Sequence, residues 1–275
     1  MKKFVIFAML LVSILTFSEV LDPLVEDMGP LSIGPWSYHW NPAGLYEVKS
    51  DSLLIGFSYK ASETSYLSGL EITLVQPPEY GFAGALVLRR YLTEDLSRLS
   101  LGYFVSGFAS VKYGLGLEVE WFKGKEDFLS ILLDFGVQGA LTKEMGYSFI
   151  IRNFRLWSQE ESYYPSGDIG GSISFGGENI KIGGGATLQS GDLIKVFGNV
   201  LLKQKNLSID LTTGYLTSLE SKDYSWLFQG GIGLKLNGFK IGVGGYGLSN
   251  PLAFKDPLND LSYSFGTFVH AEVSW

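Results

Sequence analysis

Only two histidines, His39 and His270, occur in the chain, and cysteine is absent. His270 stands two residues before Glu272, a spacing that puts both on one face of an extended backbone. Histidine beside a carboxylate is the start of a general-base pair. No Ser or Asp partner can be assigned by spacing, so no catalytic residue is named and no enzymatic activity is expected. Two His without Cys argue against a transition-metal site, and no metal ligand is assigned. Gly183-Gly184-Gly185 and Gly242-Val243-Gly244-Gly245 look like phosphate-binding loops, but each lies within an alternating segment and lacks a following Lys-Ser/Thr. No cofactor is expected. With 21 Lys+Arg against 28 Asp+Glu the net charge is -7, which argues against nucleic acid as a partner.

The remaining chemistry lies in charges on one face of strand-like segments. From Ser52 to Trp275 the sequence alternates with a period close to two. Tyr113, Leu115, Leu117, Val119 and Trp121 take one phase, and Lys112, Gly114, Gly116, Glu118 and Glu120 the other. Fourteen segments of this kind are expected, near 52–60, 66–75, 80–91, 99–109, 111–122, 128–141, 146–157, 168–176, 180–189, 193–203, 207–216, 225–236, 239–248 and 263–275. Three are weakly patterned, so twelve strands stay open. Most run roughly nine to thirteen residues, beyond the five or six usual in soluble strands and enough to cross a bilayer at a tilt. The longer connections fall at alternate positions, as in outer-membrane barrels with short turns on one side. Gln76–Glu79 is expected to be one short turn, and Asn237-Gly238 is a two-residue hairpin signal.

The fold class expected is therefore all-β: a transmembrane antiparallel β-barrel over 51–275, apolar toward lipid and polar within. Trp121, Trp226, Tyr263 and Trp275 sit near strand ends on the apolar face, where interfacial girdles form. A soluble exported sandwich is the rival architecture. Glycine, 35 residues in all, concentrates inside strands rather than in turns, where it gives large neighbours room in a curved sheet.

The polar face is expected to carry Lys60, Glu71, Lys112, Glu118, Glu120, Asp134 and Lys181. It continues with Lys195, Asp210, Lys235, Lys240, His270 and Glu272. Two readings stand: charges that satisfy one another and hold the barrel round, or a polar path tuned by them. The same face holds Leu54, Phe104, Phe108, Phe128 and Leu132, then Phe197, Leu201, Leu227 and Phe268. These suit a filled interior, packing against the N-terminal segment, or a pocket for a small hydrophobic ligand.

Met1-Lys2-Lys3, the uncharged apolar run Phe4–Phe17 and the short residues around Ser18 read as a signal peptide, residues 1–18. Residues 19–50 hold Pro23, Pro30, Pro35 and Pro42 and make a poor strand.

Trp40-Asn41-Pro42-Ala43-Gly44-Leu45 lies just before the first strand. Asn-Pro-Ala-Gly-Leu at that place resembles the N-terminal signature of the FadL/PorV superfamily of outer-membrane proteins. Val269, Ala271, Val273 and Trp275 resemble the alternating C-terminal signal read by the barrel-assembly machinery. The resemblance implies a fourteen-stranded barrel in the outer membrane whose partners are lipid and that machinery. It also implies that residues 19–50 form a plug or hatch, with Trp40, Asn41, Pro42 and Gly44 as gating residues; a plain turn leading into the first strand is the other reading. The function it implies is passive transport or binding of small hydrophobic or amphipathic molecules. The alternatives are a structural or secretion-partner barrel and, more remotely, an outer-membrane enzyme.

Overall fold

The structure is a computed structural model that describes residues 34–61, 66–93, 97–124, 127–160, 167–177, 179–189, 193–219, 223–250 and 265–275. Residues 1–18 and 19–33, expected as signal peptide and first part of the plug, lie outside the described residues, as does Tyr263.

Fourteen antiparallel strands follow the N-terminal segment. They are β1 (Ser52–Ala61), β2 (Tyr66–Glu79), β3 (Phe82–Leu92), β4 (Ser97–Phe108), β5 (Lys112–Lys123), β6 (Phe128–Ala140) and β7 (Met145–Ser158). The second half holds β8 (Asp168–Gly176), β9 (Ile180–Gln189), β10 (Leu193–Gln204), β11 (Leu207–Ser218), β12 (Tyr224–Leu236), β13 (Phe239–Leu248) and β14 (Phe265–Ser274). Each pairs with its neighbours in sequence, and β14 pairs with β1 from Ser52↔Ser274 to Ala61↔Phe265, which closes the barrel. The Trp275 N–H donates to the Asp51 carbonyl at 3.1 Å beside that seam. Closure gives every strand a partner on both sides, so the ladder hydrogen bonds are met within the wall except at the far end of β7.

The strands form here because each residue's phase agrees with one of two environments. Along β5, Leu115, Leu117 and Trp121 point outward while Gly114, Gly116, Glu118 and Glu120 are buried inside. Leu117 is 47% exposed and Glu120 only 1%. Outward apolar side chains recur around the whole circuit: Leu86, Phe149, Ile182, Leu211, Phe228 and Val269 are all exposed. A soluble monomer rarely exposes an apolar patch beyond a few hundred Å². A continuous apolar girdle around a closed barrel with charged groups inside is the arrangement of a membrane-spanning barrel. No helix among the described residues is long and apolar enough to cross a membrane.

One expected turn is corrected. β2 runs through Pro77-Pro78 to Glu79, with a register shift between Gln76 and Glu79. Proline tolerates extended backbone where a ladder bond is already interrupted. The turn is Tyr80-Gly81, both at positive φ (51° and 89°), as a two-residue hairpin needs. Asn237-Gly238 takes the expected turn, with φ of 44° and 82°.

β7 contains a bulge. Its register on β6 shifts between Leu133 and Phe135, and Asn153 adopts φ 50°. The Asp134 carboxylate accepts the Asn153 N–H at 2.6 Å. β7 pairs with β8 only from Met145↔Phe175 to Arg152↔Asp168; beyond that it pairs with β6 alone.

Candidate functional site

Gly34–Val48 lies inside the barrel. Two short 3-10 turns, Ser37–His39 and Pro42–Glu47, shape it. Asn41 caps the second: its side-chain oxygen accepts the Ala43 N–H at 3.0 Å, with Pro42 in the first turn, where a missing N–H costs nothing. The Gly34 N–H donates to the Gly44 carbonyl at 3.2 Å and closes the segment into a loop. The Asn41 amide donates outward to the Val137 and Phe149 carbonyls at 3.2 and 3.4 Å, while Ser106 Oγ donates to the Ala43 carbonyl at 2.9 Å.

The wall is cut to receive this loop. A Cβ on Gly114 would meet the backbone of Pro42 and Ala43, and one on Gly136 would meet the Asn41 amide. Glycine at these two positions permits close backbone approach. Apolar packing completes the seat: Trp36, Tyr38, Leu45 and Val48 form one core with Leu54, Val75, Ala83, Ala85, Val87 and Phe104.

A buried polar cluster fastens the loop to β2–β5. Glu71 is 2% exposed. Its Oε1 accepts from the Tyr38 hydroxyl and lies 2.8 Å from His39 Nε2; its Oε2 accepts from Arg89 Nε at 2.6 Å. Arg89 also donates to Glu118 at 2.6 Å, and Thr73 Oγ1 lies 2.8 Å from the Tyr38 hydroxyl. Burial pushes the Tyr38 phenol well above its usual pKa, and the neighbouring Glu71 charge pushes it the same way. Tyr38 therefore remains a protonated donor. Nearby, Arg98 donates to Glu120 at 3.0 Å and stacks over Tyr91, 4.0 Å from the ring centroid.

On the opposite side the loop meets the wall mainly through Trp40, beside the Asn41 bond to Phe149 of β7. Trp40 projects toward β7 and β10, with Arg152 5.1 Å and Lys195 5.3 Å from its ring centroid. Lys195 also lies 5.3 Å from the Phe197 ring. Cations over indole faces are attractive and become stronger when desolvated.

The sequence-predicted residues divide among these surroundings. Glu71, Glu118, Glu120 and Asp134 sit inside within the hydrogen bonds already described. Lys112 pairs with Glu47 at the short-turn rim, Lys240 lies 3.7 Å from Glu272, and Asp210 is buried in β11. His270 packs between Trp36 and Phe268, with centroids 4.9 and 6.0 Å away, while Glu272 accepts from Ser274 Oγ at 3.0 Å. Lys181 belongs to the lumen face of β9, paired with Leu201, and Lys235 is exposed beside the Asn237-Gly238 turn. Trp121, Trp226 and Trp275 point outward, Trp275 at 68% exposure. Of the expected inward apolar residues, Leu54 and Phe104 pack on the N-terminal loop. Phe108 is instead exposed at the rim against Tyr46, because its strand ends there.

Sequence reasoning missed Arg89, Arg98, Arg152, Arg155 and the Tyr38–Thr73 pair. The phase of Val87 places Arg89 inward, but the adjacent Arg90 masks that signal. The Asn153 bulge breaks the period around Arg152 and Arg155.

The class defined by this geometry is a closed, membrane-spanning β-barrel with an N-terminal loop seated in its lumen. Among solved structures the chain is similar to a Pseudomonas aeruginosa FadL homologue, at 9% identity and a TM-score of 0.63, over 94% of this chain and 98% of that one. It is also similar to the Ralstonia pickettii toluene transporter TbuX, at 8% identity and a TM-score of 0.64, over 91% and 99%. A third likeness is to the TodX monoaromatic hydrocarbon channel, at 9% identity and a TM-score of 0.64, over 87% and 94%. These likenesses show the fold. No family model matches the sequence, and no curated protein matches it.

Proposed function

We propose that the protein is an outer-membrane channel for passive passage of small hydrophobic or amphipathic molecules, in which Gly34–Val48 acts as a plug. The observation that carries this is the asymmetric seating of the loop. It is fastened to β2–β5 by buried hydrogen bonds and ion pairs, yet reaches β7 and β10 mainly through Trp40. A barrel needed only as a wall would be filled more cheaply by apolar side chains, since buried ion pairs seldom add stability over them. Polar fastening on one side, and on the other one aromatic side chain with a long 3.4 Å amide bond from Asn41 to Phe149, suit a segment that yields on the second side. Trp40, Asn41, Pro42 and Gly44 have distinct roles here: Asn41 and Pro42 set the turn, Gly44 accepts the bond that closes it, and Trp40 fills the gap to the far wall. The FadL homologue and the TbuX and TodX structures share the fold; TbuX is described as a toluene transporter and TodX, in a deltaS2 mutant, as a monoaromatic hydrocarbon channel. Export, insertion through the C-terminal strand by the barrel-assembly machinery, and residence in outer-membrane lipid belong to the same proposal.

The test is reconstitution of the full chain in liposomes and planar bilayers. Entry of a small fluorescent amphiphile is expected, as is a larger conductance after deletion of 34–48. A barrel that stays sealed with and without that segment overturns the channel and leaves the scaffold or assembly role.

A further inference from the structure

The inward charges are unevenly distributed around the wall. Over β1–β6 and β12–β14 the cations are Lys60, Arg89, Arg98, Lys112, Lys235 and Lys240. They are matched in number by Glu71, Glu118, Glu120, Asp134 and Glu272 together with Glu47 of the N-terminal loop. On β7–β11 the balance differs. Among the described side chains, Arg152, Arg155, Lys181, Lys195 and Lys203 lie on the lumen side against one acidic residue of these strands, Asp210, with Asp134 of β6, counted above, acting electrostatically on Arg152. Their facing follows from the register: Arg155 pairs with buried Leu132, Lys181 with buried Leu201, and Lys203 with buried Ser208. The excess positive charge of the lumen therefore lies on one wall, against the sign of the whole chain, which is -7.

That wall is also the one Trp40 faces. The remaining lining there is mostly small or polar, Ser172, Ser174, Thr187, Asn199 and Thr212, with Phe197 and Leu201 of β10 as buried apolar members. We infer that the conduit runs between Trp40 and the β7–β10 wall, and that Arg152 and Lys195 make it selective for anions with a flat apolar body, such as aromatic carboxylates. This rests on the channel reading above and assigns that channel's selectivity. The cations need not be vacant for this to hold, because a solute in a low-dielectric passage feels the summed field of the wall. The indole face offers the apolar body a stacking surface, and the flanking guanidinium and ammonium offer the carboxylate charge-assisted hydrogen bonds. A neutral hydrocarbon gains the first of these only, and an aromatic ammonium meets repulsion.

The experiment uses the full chain in planar bilayers and liposomes. In a potassium chloride gradient the reversal potential is expected to show chloride preferred over potassium by roughly tenfold, the low end of what a charge-lined cleft does to local counter-ion concentration. Benzoate is expected to enter liposomes faster than benzylammonium, which has a similar size and opposite charge. Arg152→Gln combined with Lys195→Gln should sharply reduce both preferences while conductance persists. Trp40→Ala should raise conductance and slow benzoate relative to acetate. Heat-modified gel mobility establishes that each variant has folded. Passage with no anion preference, or a preference unchanged in the double variant, overturns the inference and leaves the channel standing. A barrel that passes no ion and no solute overturns both.

Discussion

Glu71 is the side chain on which the interior turns. It is a buried carboxylate held by a phenol and an imidazole from the N-terminal loop and a guanidinium from β3. Arg89 is its counterpart, neutralising Glu71 and Glu118 at 2.6 Å each while its side chain is 11% exposed. Removing one member of a buried pair strands the other charge, which costs about 3–5 kcal/mol. Arg89→Ala is therefore expected to lower unfolding stability by about that amount, read by urea unfolding from lipid vesicles. Lys112 supplies the contrast, since its partner Glu47 is 40% exposed at the rim. Lys112→Ala is expected to cost under about 1 kcal/mol in the same measurement, as solvent-screened pairs do. Equal losses at the two sites would contradict the assignment of Arg89 as the buried counter-charge.

The seat of the N-terminal loop belongs to the scale of elements, because β5 and β6 each give up a side chain to admit it. Valine at Gly136 suits a strand but leaves no room for Asn41. The chain has no cysteine, so Ala43→Cys gives a single reporter on the buried side of the loop. Its maleimide labelling is expected to be slow, and about tenfold faster or more when Gly136→Val is added, as an overpacking cost of 1–3 kcal/mol implies. Unchanged labelling would mean that the loop is not keyed by these glycines. This seat was only partly legible beforehand. The strands were, since two-residue alternation is local and each bilayer-crossing segment repeats it independently. The Asn41-Pro42 turn could be read as a cap, but not the wall against which it docks, because Gly114 and Gly136 lie far away in sequence and carry no side chain to mark a partner. Arg89 was hidden by Arg90, and Arg152 by the Asn153 bulge: a phase argument fails where two like charges adjoin or the period is interrupted. The Pro77-Pro78 pair misled in the opposite sense, because proline ends a ladder bond without ending the extended chain.

At the scale of the molecule the deciding contrast is between what faces out and what faces in. A soluble barrel of the same topology would keep its apolar residues inside and turn polar ones to water. Here Leu117 is 47% exposed at the middle of β5, while its neighbour Glu118 is buried against Arg89. The environment outside Leu117 is thus open to direct test. An arginine facing hydrocarbon near the bilayer midplane costs about 2–4 kcal/mol, falling toward zero at the interfaces. The same substitution on a water-facing strand stays within about 0.5 kcal/mol. Leu117→Arg is expected to show the larger loss in urea unfolding from lipid vesicles. An arginine at Trp121, four residues further along the same face and near the strand end, is expected to lose less of its stability to charge burial than one at Leu117. That depth gradient distinguishes a bilayer from any other apolar partner, since a protein interface would not weaken in step with distance from a midplane. A flat profile, or a neutral Leu117→Arg, would remove the membrane from the account and with it the reason for a polar lumen.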